Sequence, residues 1–273
     1  MRVLRTIAEV RRVLAPHRRS GGVGFVPTMG ALHSGHATLF TTAKRDCAYV
    51  VASVFVNPTQ FNDPKDLAAY PRQEERDAEI AAEAGVDVLF APAVGEMYPA
   101  NGATSIAVAG PALAFEGAHR PGHFDGVAIV CVKLFGIVQP THAYFGQKDA
   151  QQVAVLKRVI ADLALPLSLC VVPTVREADG LALSSRNVRL SRDDRARAAA
   201  IPRALRAGLA AYAQGSDVSA AARTALAGLE VEYAEVTTFD GHPTLVIAAR
   251  AGETRLIDNV PLDQPALAGI SDA

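Results

Sequence analysis

The feature that most constrains the fold is a repeated alternation between short apolar runs and segments of helical spacing. The runs 23–26 and 49–56 are apolar over nearly their whole length, and residues 36–45 between them have a helical pattern. Strands that are apolar on both faces are typical of a parallel sheet covered by helices on both sides. The chain is therefore predicted to contain a Rossmann-like, doubly wound parallel α/β sheet.

The same alternation continues to about residue 172. We expect further strands at 86–90, 143–145 and 167–172, and helices at 73–84, 124–138 and 150–163. At the N-terminus, apolar residues at Leu4, Ile7, Val10 and Leu14 have helical spacing and lead into the first strand. The arginine-rich residues 1–20 are therefore interpreted as an integral first helix and not as a transit peptide.

A different pattern begins after residue 175. Ser191, followed three residues later by Asp194, resembles a capping box that opens a helix to about Ala213. A second helix is expected at about 218–229, and three strand-like runs at 231–239, 244–248 and 254–257. Helices and strands segregated in this way imply a small α+β domain. The expected domains are residues 1–175 and 176–273.

Composition excludes several classes of partner. The 27 Lys and Arg residues balance 28 Asp and Glu residues, which gives a formal net charge of -1 and no general field for nucleic acid. No apolar run approaches the roughly 20 residues that span a bilayer, so we expect a soluble protein that binds no membrane. Cys47, Cys131 and Cys170 stand singly and are interpreted as reduced core residues.

Two distant stretches suggest a site for a polyphosphate. His33-Ser34-Gly35-His36 follows the first strand, so both imidazoles share one face at the start of a helix, whose N-terminus favours an anion. About 150 residues later, Ser184, Ser185 and Arg186 offer two hydroxyls and a guanidinium. Together these groups predict nucleotide activation chemistry, although histidines that only cap a helix are the structural alternative.

Three further turns carry candidate ligand-binding side chains. Arg120 and His123 lie in a glycine-rich turn before an apolar helix, and Lys148 and Asp149 follow a strand end. Lysine can neutralise a phosphate, and aspartate can accept from a ribose hydroxyl. Asn57 and Gln60, at the end of the second strand, offer neutral amides for a hydroxyl or carboxylate. Ordinary turn, cap and solvated roles are open for each of these side chains.

The motifs together resemble one family. Pro27 to His36, with its His-Ser-Gly-His sequence, and Asp179 to Asn187, with its Leu-Ser-Ser-Arg-Asn sequence, resemble the HxGH and KMSKS-type signatures of nucleotidyltransferases. With the other stretches, they resemble the pantoate–β-alanine ligase (pantothenate synthetase) family over nearly the whole chain. The other matching stretches are 55–61, 120–124, 133–135, 145–149, 151–152 and 254–259.

This resemblance implies a reaction and a set of ATP-binding residues. The reaction joins pantoate to β-alanine with ATP and Mg²⁺, forms pantoyl adenylate, and releases AMP and pyrophosphate; family members are typically cytoplasmic homodimers. Residues 1–175 would bind ATP and pantoate, and the smaller domain would close over the active site. The implied catalytic residues are His36, His33, Lys148 and Arg186. The implied ATP-binding residues are Met29, Gly30, His33, Gly35, His36, Gly146, Gln147, Lys148, Asp149, Val175, Leu183, Ser184, Ser185 and Arg186.

The resemblance also implies roles around the smaller substrates. Gln60, Gln152 and Met29 would bind pantoate, and Gln60 would also neighbour β-alanine. Asn57, Arg120 and His123 would shape the pocket; the metal ligands are not identified.

The chain departs from the family pattern at several positions. Gln147 replaces the usual Glu, Ser34 replaces a common acidic residue, and the segment 237–244 is shorter than its usual counterpart. Two alternative functions also fit the motifs. They are a nucleotidyltransferase that acts on a phosphorylated small molecule, and a nucleotide-binding sensor without catalysis.

Overall fold

The computed structural model describes residues 1–19 and 22–270. The chain divides into two compact units: the first unit comprises Met1–Phe145 and Gln151–Val171, and the second comprises Gly146–Ala150 and the chain from Val172 onward. We expected one division after residue 175. The segment that carries Lys148 instead groups with the second unit, although it directly follows a strand of the first. Within the described ranges, no helix has the length and apolar character needed to cross a membrane.

The first unit is an α/β sheet with helices, as predicted. Its strands are β1 (Arg2–Leu4), β2 (Val23–Thr28), β3 (Tyr49–Val54), β4 (Val88–Phe90), β5 (His142–Gly146) and β6 (Ser168–Val172). Its helices are α1 (Ile7–Leu14), α2 (Ser34–Asp46), α3 (Pro64–Ala69), α4 (Glu74–Glu83), α5 (Val94–Met97), α6 (Glu116–His119), α7 (His123–Val138) and α8 (Ala150–Asp162). Strand β1 could not be predicted from the sequence, because three residues, of which only Leu4 is buried, are too few to show a period.

Strand order places the candidate site at one point of this sheet. The order is β1-β4-β3-β2-β5-β6, with β2 parallel to both β3 and β5. The chain runs outward from β2 on one side and resumes at β5 on the other, so the order reverses between these two strands. In open α/β sheets, ligands bind beyond the carboxyl ends of the strands at this reversal. Met29 to His36 directly follow the carboxyl end of β2.

The strands of the first unit and helix α7 are apolar because they form its buried core. Phe25 on β2 is fully buried and makes an edge-on contact with Phe135 on α7, with ring centroids 6.3 Å apart. Cys47 and Cys131 are buried, as expected, whereas Cys170 is only half-buried. Burial raises the pKa of the Cys131 thiol to about 12, so this residue serves as apolar filling.

The second unit has the expected α+β composition. Its helices are α9 (Arg192–Ala198), α10 (Ala200–Ala213) and α11 (Val218–Ala225), and its antiparallel sheet contains β7 (Glu230–Phe239), β8 (His242–Ala251) and β9 (Thr254–Pro261) in that order. Asp240 and Gly241, both with positive φ (53° and 83°), form a two-residue turn between β7 and β8. Such a turn matches the twist of a hairpin, which accounts for the short 237–244 segment.

The prediction of a single helix from Ser191 to Ala213 was wrong in one respect. The Ser191 hydroxyl accepts from the Asp194 backbone N–H at 3.1 Å, so the start was predicted correctly. The helix breaks at Ala199, however, and a new helix begins at Ala200. Pro202 explains the break, because it has no N–H to donate and its ring would clash with the carbonyl of Ala198 in a continuous helix.

Candidate active site

The two imidazoles of the His33–His36 motif cap helix α2 reciprocally. The Nδ1 atom of His33 accepts from the Gly35 backbone N–H at 3.2 Å, and the Nδ1 atom of His36 accepts from the His33 backbone N–H at 3.3 Å. The ring centroids are 4.1 Å apart. A neutral imidazole that accepts through Nδ1 carries its hydrogen on Nε2. The caps therefore fix both rings as Nε2–H donors at the positive end of a helix, which suits a phosphate.

A buried carboxylate that the sequence analysis missed shapes the loop before these histidines. Asp77 on α4 is 1% exposed, and its two oxygens accept from the backbone N–H groups of Ala31 (3.0 Å) and Leu32 (2.7 Å). Gly30 and Ala31 both have positive φ, 85° and 52°. A Cβ on Gly30 would lie 2.7 Å from an oxygen of Asp77. The carboxylate thus holds a strained turn that leads directly to His33.

Replacement of Asp77 by Asn tests this role. The amide keeps one acceptor oxygen but turns its NH₂ group toward the second backbone N–H. Loss of that partner is expected to lower the free energy of unfolding by about 1–3 kcal/mol and to reduce ATP-dependent activity. Urea unfolding and steady-state kinetics measure both effects. The exposed Glu79 on the same helix supplies the control, because Glu79→Gln removes the same charge without a comparable loss. Equal behaviour of the two variants would refute the role of Asp77.

The second cluster of the first unit surrounds the amide of Gln60. Asn57, 1% exposed, donates through Nδ2 to the Gln60 Oε1 atom (2.8 Å) and to the Gly126 carbonyl (2.9 Å). The Asn57 Oδ1 atom accepts from the Tyr98 hydroxyl at 2.8 Å, and burial raises the pKa of Tyr98, so this donor stays protonated. Because the Oε1 atom of Gln60 is held by Asn57, Nε2 is the end left to donate, and it lies 3.2 Å from the sulfur of Met29. The amide is therefore fixed to offer a donor to a ligand oxygen.

Arg120 and His123 contact the backbone carbonyl of Gln60. The Nδ1 atom of His123 donates to the Gln60 carbonyl at 2.9 Å, and Arg120 donates to the same carbonyl at 3.3 Å and to the Nε2 atom of His123 at 3.1 Å. Gly126 lets helix α7 pack closely against the turn that carries Gln60, because a Cβ at 126 would lie 2.4 Å from the Thr59 carbonyl oxygen. The structure thus brings Met29, Asn57, Arg120 and His123 together around Gln60. Gln152 lies half-buried in the first turn of α8.

The second unit gathers other predicted residues around one pocket. Lys148, Ser184 and Arg186 all line one small surface pocket. The Lys148 side chain is 20% exposed, and its Nζ atom lies 3.6 Å from an Asp149 carboxylate oxygen. Two cationic side chains and a hydroxyl around one pocket are suited to a phosphate chain.

Hydrogen bonds hold the loop that carries Ser184 and Arg186. The Ser184 hydroxyl accepts from the Arg186 backbone N–H at 3.2 Å, and Leu183 donates from its backbone to the Val175 carbonyl at 2.9 Å. Asn187 closes the loop by donating to the Ala182 carbonyl at 3.0 Å. Ser185 and Leu183 are half-buried.

Two ion pairs of one arginine on α9 support this loop. Arg195 donates to Glu177 and to Asp179, each at 2.7 Å, and Glu177 also accepts from the Asn187 side chain at 2.6 Å. These hydrogen bonds from Arg195 are the main reason that the pKa values of Glu177 and Asp179 are lowered, so both carboxylates stay charged at neutral pH. No local sequence signal indicates this cluster, because the pairing joins a loop to a helix that follows it.

The fold and these groups define a class of protein. A Rossmann-like sheet, paired imidazole donors after its switch strand and a lysine–serine–arginine pocket are suited to an enzyme that activates a substrate with a nucleoside triphosphate. The family model for pantoate-beta-alanine ligase matches residues 2–261. The chain therefore belongs to the pantoate–β-alanine ligase family, which confirms the resemblance inferred from its motifs.

Individual relatives agree with this assignment. Pantothenate synthetases from Cereibacter sphaeroides and Moorella thermoacetica are 49% and 48% identical to the chain, and the matches cover 95% and 96% of this chain and 99% of each relative. The crystal structure of pantothenate synthetase from Thermus thermophilus superposes with a TM-score of 0.90 at 46% identity, covering 96% of this chain and 99% of that one. The enzyme from Francisella tularensis, crystallised with beta-gamma ATP and beta-alanine, gives 0.82 at 35% identity, covering 96% and 98%.

Proposed function

We propose that this protein catalyses the ATP-dependent condensation of pantoate with β-alanine, which gives pantothenate, AMP and pyrophosphate through pantoyl adenylate. The observation that carries the proposal is the family match over residues 2–261 in a chain that retains both imidazoles, Lys148 and the Ser184–Arg186 loop. Retention of the whole set also disfavours a sensor, which would bind a nucleotide but would have no departing pyrophosphate to stabilise.

In the proposed first step, a carboxylate oxygen of pantoate attacks the α-phosphorus of ATP. The bond from this phosphorus to the bridging oxygen breaks, and pyrophosphate leaves with the electron pair. The reaction needs charge stabilisation on the phosphates more than it needs a base. The Nε2–H groups of His33 and His36 would donate to phosphate oxygens, and Lys148, Ser184 and Arg186 would neutralise the departing pyrophosphate.

In the second step, the neutral amine of β-alanine attacks the acyl carbon of pantoyl adenylate. An amide bond forms, the acyl–oxygen bond breaks, AMP leaves, and the nitrogen loses a proton. Gln60 and Gln152 would bind pantoate through their amides, with Met29 beside Gln60, and Gln60 would also contact β-alanine. The neutral amides of Gln60 and Gln152 suit a hydroxy acid better than the phosphorylated substrate of the alternative nucleotidyltransferase, which needs a further phosphate pocket.

The remaining proposed ATP contacts are divided between its adenosine and its phosphates. We assign adenine and ribose to Gly146, Gln147, Asp149 and the backbone at Val175. Ser185 joins the proposed phosphate donors, Gly30 and Gly35 present phosphate-facing backbone, and Leu183 is a further proposed ATP contact. Among the residues that the structure describes, no group of three His, Cys, Asp or Glu side chains is placed to hold a metal ion. The proposed Mg²⁺ ion would accompany ATP, and this cation commonly binds through substrate phosphates and water. A cytoplasmic homodimer is part of the proposal and rests on the family resemblance alone.

Isotope exchange tests the proposed reaction. With β-alanine absent, we expect pantoate to support exchange of labelled pyrophosphate into ATP, because adenylate formation is reversible on the enzyme. Exchange without pantoate would count against this mechanism, because pantoate is the proposed acceptor of the adenylyl group. Absence of exchange under conditions in which ATP binds would favour the sensor.

A further inference from the structure

Asp258 and Asn259 are adjacent residues of β9 and end the matching stretch 254–259. Both are 3% exposed. The Nδ2 group of Asn259 donates to the backbone carbonyls of Gln147 (3.0 Å) and Lys148 (2.9 Å), and its Oδ1 atom accepts from the Gln147 side chain at 3.0 Å. One buried amide therefore holds the backbone of Gln147 and of Lys148, the lysine that lines the pocket.

Asp258 makes the corresponding connection to the second loop of the pocket. Its carboxylate forms a two-bond ion pair with Arg176, at 2.7 and 3.1 Å, and the two side chains are 1% and 7% exposed. Arg176 also donates to the carbonyls of Gly180 (3.0 Å) and Ala268 (2.7 Å). Residues 176 and 180 belong to the turn that leads to Ser184. The Asp258 carboxylate further accepts from the Asn259 backbone N–H at 2.9 Å, which fixes the two side chains relative to each other.

We propose that Asp258 and Asn259 are positioning residues that set the spacing between Lys148 and the Ser184–Arg186 loop. Both groups line the same pocket of the second unit, and Asp258 lines it as well. Neither the lysine loop nor the serine–arginine loop is a regular strand or a long helix, and the hydrogen bonds within the serine–arginine loop do not connect it to Lys148. Asp258 and Asn259 lie within the buried strand β9. By holding the lysine loop and the turn before Ser184, they supply the rigidity that phosphate binding requires. The inference rests on the proposed function, because it assigns the ATP phosphates to this pocket.

The arrangement also explains how Gln147 fits this chain. Its Nε2 group donates to Asn259 Oδ1, so the amide of Asn259 is oriented with its donor toward the two carbonyls. A glutamate at 147 has no hydrogen to donate when ionised and would favour the opposite orientation of Asn259. Gln147 and Asn259 thus act as a pair, and Gln147, 6% exposed, needs no ionic partner.

The variant Asn259→Asp tests the proposal with almost no change in shape. It replaces the Nδ2 donor by an oxygen that faces the carbonyls of Gln147 and Lys148. We expect the KM for ATP in pantoate-dependent exchange to rise by about tenfold or more, since displacement of a binding group by about 1 Å can cost about a hundredfold. The KM for pantoate should stay within about twofold of wild type, because its proposed ligands hydrogen-bond elsewhere. Calorimetric titration with the β,γ-methylene analogue of ATP should show the same loss of affinity.

Three controls separate positioning from instability and from added charge. Asn259→Ser removes the donor without a charge and decides the question if Asn259→Asp fails to fold. Leu226→Ala, at a fully buried site that does not line the pocket, lowers the melting temperature and should leave the KM for ATP unchanged. Asn101→Asp adds the same charge at an exposed site.

The outcomes distinguish this inference from the proposed function. Wild-type protein without pantoate-dependent exchange would refute the proposed function, while analogue binding would still test the positioning role. Folded Asn259→Asp and Asn259→Ser with wild-type affinity for the ATP analogue would overturn the positioning role alone. A KM for ATP that rises equally in Leu226→Ala would overturn it as well, because the effect would then follow stability.

Discussion

The substitution His36→Ala is expected to reduce pyrophosphate exchange by about 100- to 1000-fold, or about 2.7–4 kcal/mol, if it removes one preorganised donor to the reacting phosphates. The side chain has two separate functions in this account. Its Nδ1 atom caps α2 by accepting from the His33 backbone N–H, and its Nε2–H group is the proposed phosphate donor. Alanine removes both, so a loss of activity alone would not distinguish the cap from the donor.

The variant His36→Glu separates these functions. Glutamate at the third position of a helix returns a side-chain oxygen to the cap, which is the usual capping-box arrangement, but it has no hydrogen to donate when ionised. We therefore expect His36→Glu to retain the thermal stability of wild type and to lose most of the exchange rate. Recovery of exchange in His36→Glu would show that the histidine acts mainly as a cap, and the proposed donor role would be wrong.

The substitution Lys148→Met should reduce the exchange rate by about a hundredfold or more, because it removes a cation from the developing negative charge on pyrophosphate. The loss should exceed simple removal of one hydrogen bond. The Asp149 carboxylate, which lies 3.6 Å from the Lys148 Nζ atom, would lose the cation beside it. Its negative charge would then repel the phosphate chain. Single-turnover formation of the adenylate, followed by rapid quench, measures the chemical step directly.

Lys148→Arg and Lys157→Met provide the matched comparison. Arginine keeps the charge but replaces a compact ammonium by a planar fork, so we expect partial activity. Lys157→Met removes a lysine from α8, outside the proposed phosphate contacts, and should leave exchange near the wild-type rate. A Lys148→Met variant as active as Lys157→Met would remove the lysine from the proposed mechanism.

The sequence was sufficient for features that depend on local patterns. The apolar runs identified β2 and β3, and the His-Ser-Gly-His motif placed two imidazoles at a helix start, where the structure has them capping α2. The structural alternative and the functional interpretation of these histidines are compatible, because a cap through Nδ1 is what fixes Nε2 as the donor. Pro202 was visible in the sequence and could have predicted the break between α9 and α10.

Features that depend on distant partners could not be predicted in this way. Asp77 lies among acidic residues on α4, and its only sequence signal is its position four residues before the buried Ala81. Its partners, Ala31 and Leu32, lie more than 40 residues away, and Asn259 contacts residues more than 100 positions before it. No periodicity in the sequence links such pairs, because the fold alone determines which distant residues become hydrogen-bond partners of a buried polar group.

Transfer of an oxygen isotope tests the central claim, the formation of pantoyl adenylate, most directly. Pantoate labelled with ¹⁸O in its carboxyl group is incubated with ATP and β-alanine, and the products are analysed by mass spectrometry. Attack of the carboxylate on the α-phosphorus followed by acyl–oxygen cleavage predicts one ¹⁸O atom in each AMP formed. Label in inorganic phosphate or pyrophosphate, or AMP without label, would contradict the mechanism.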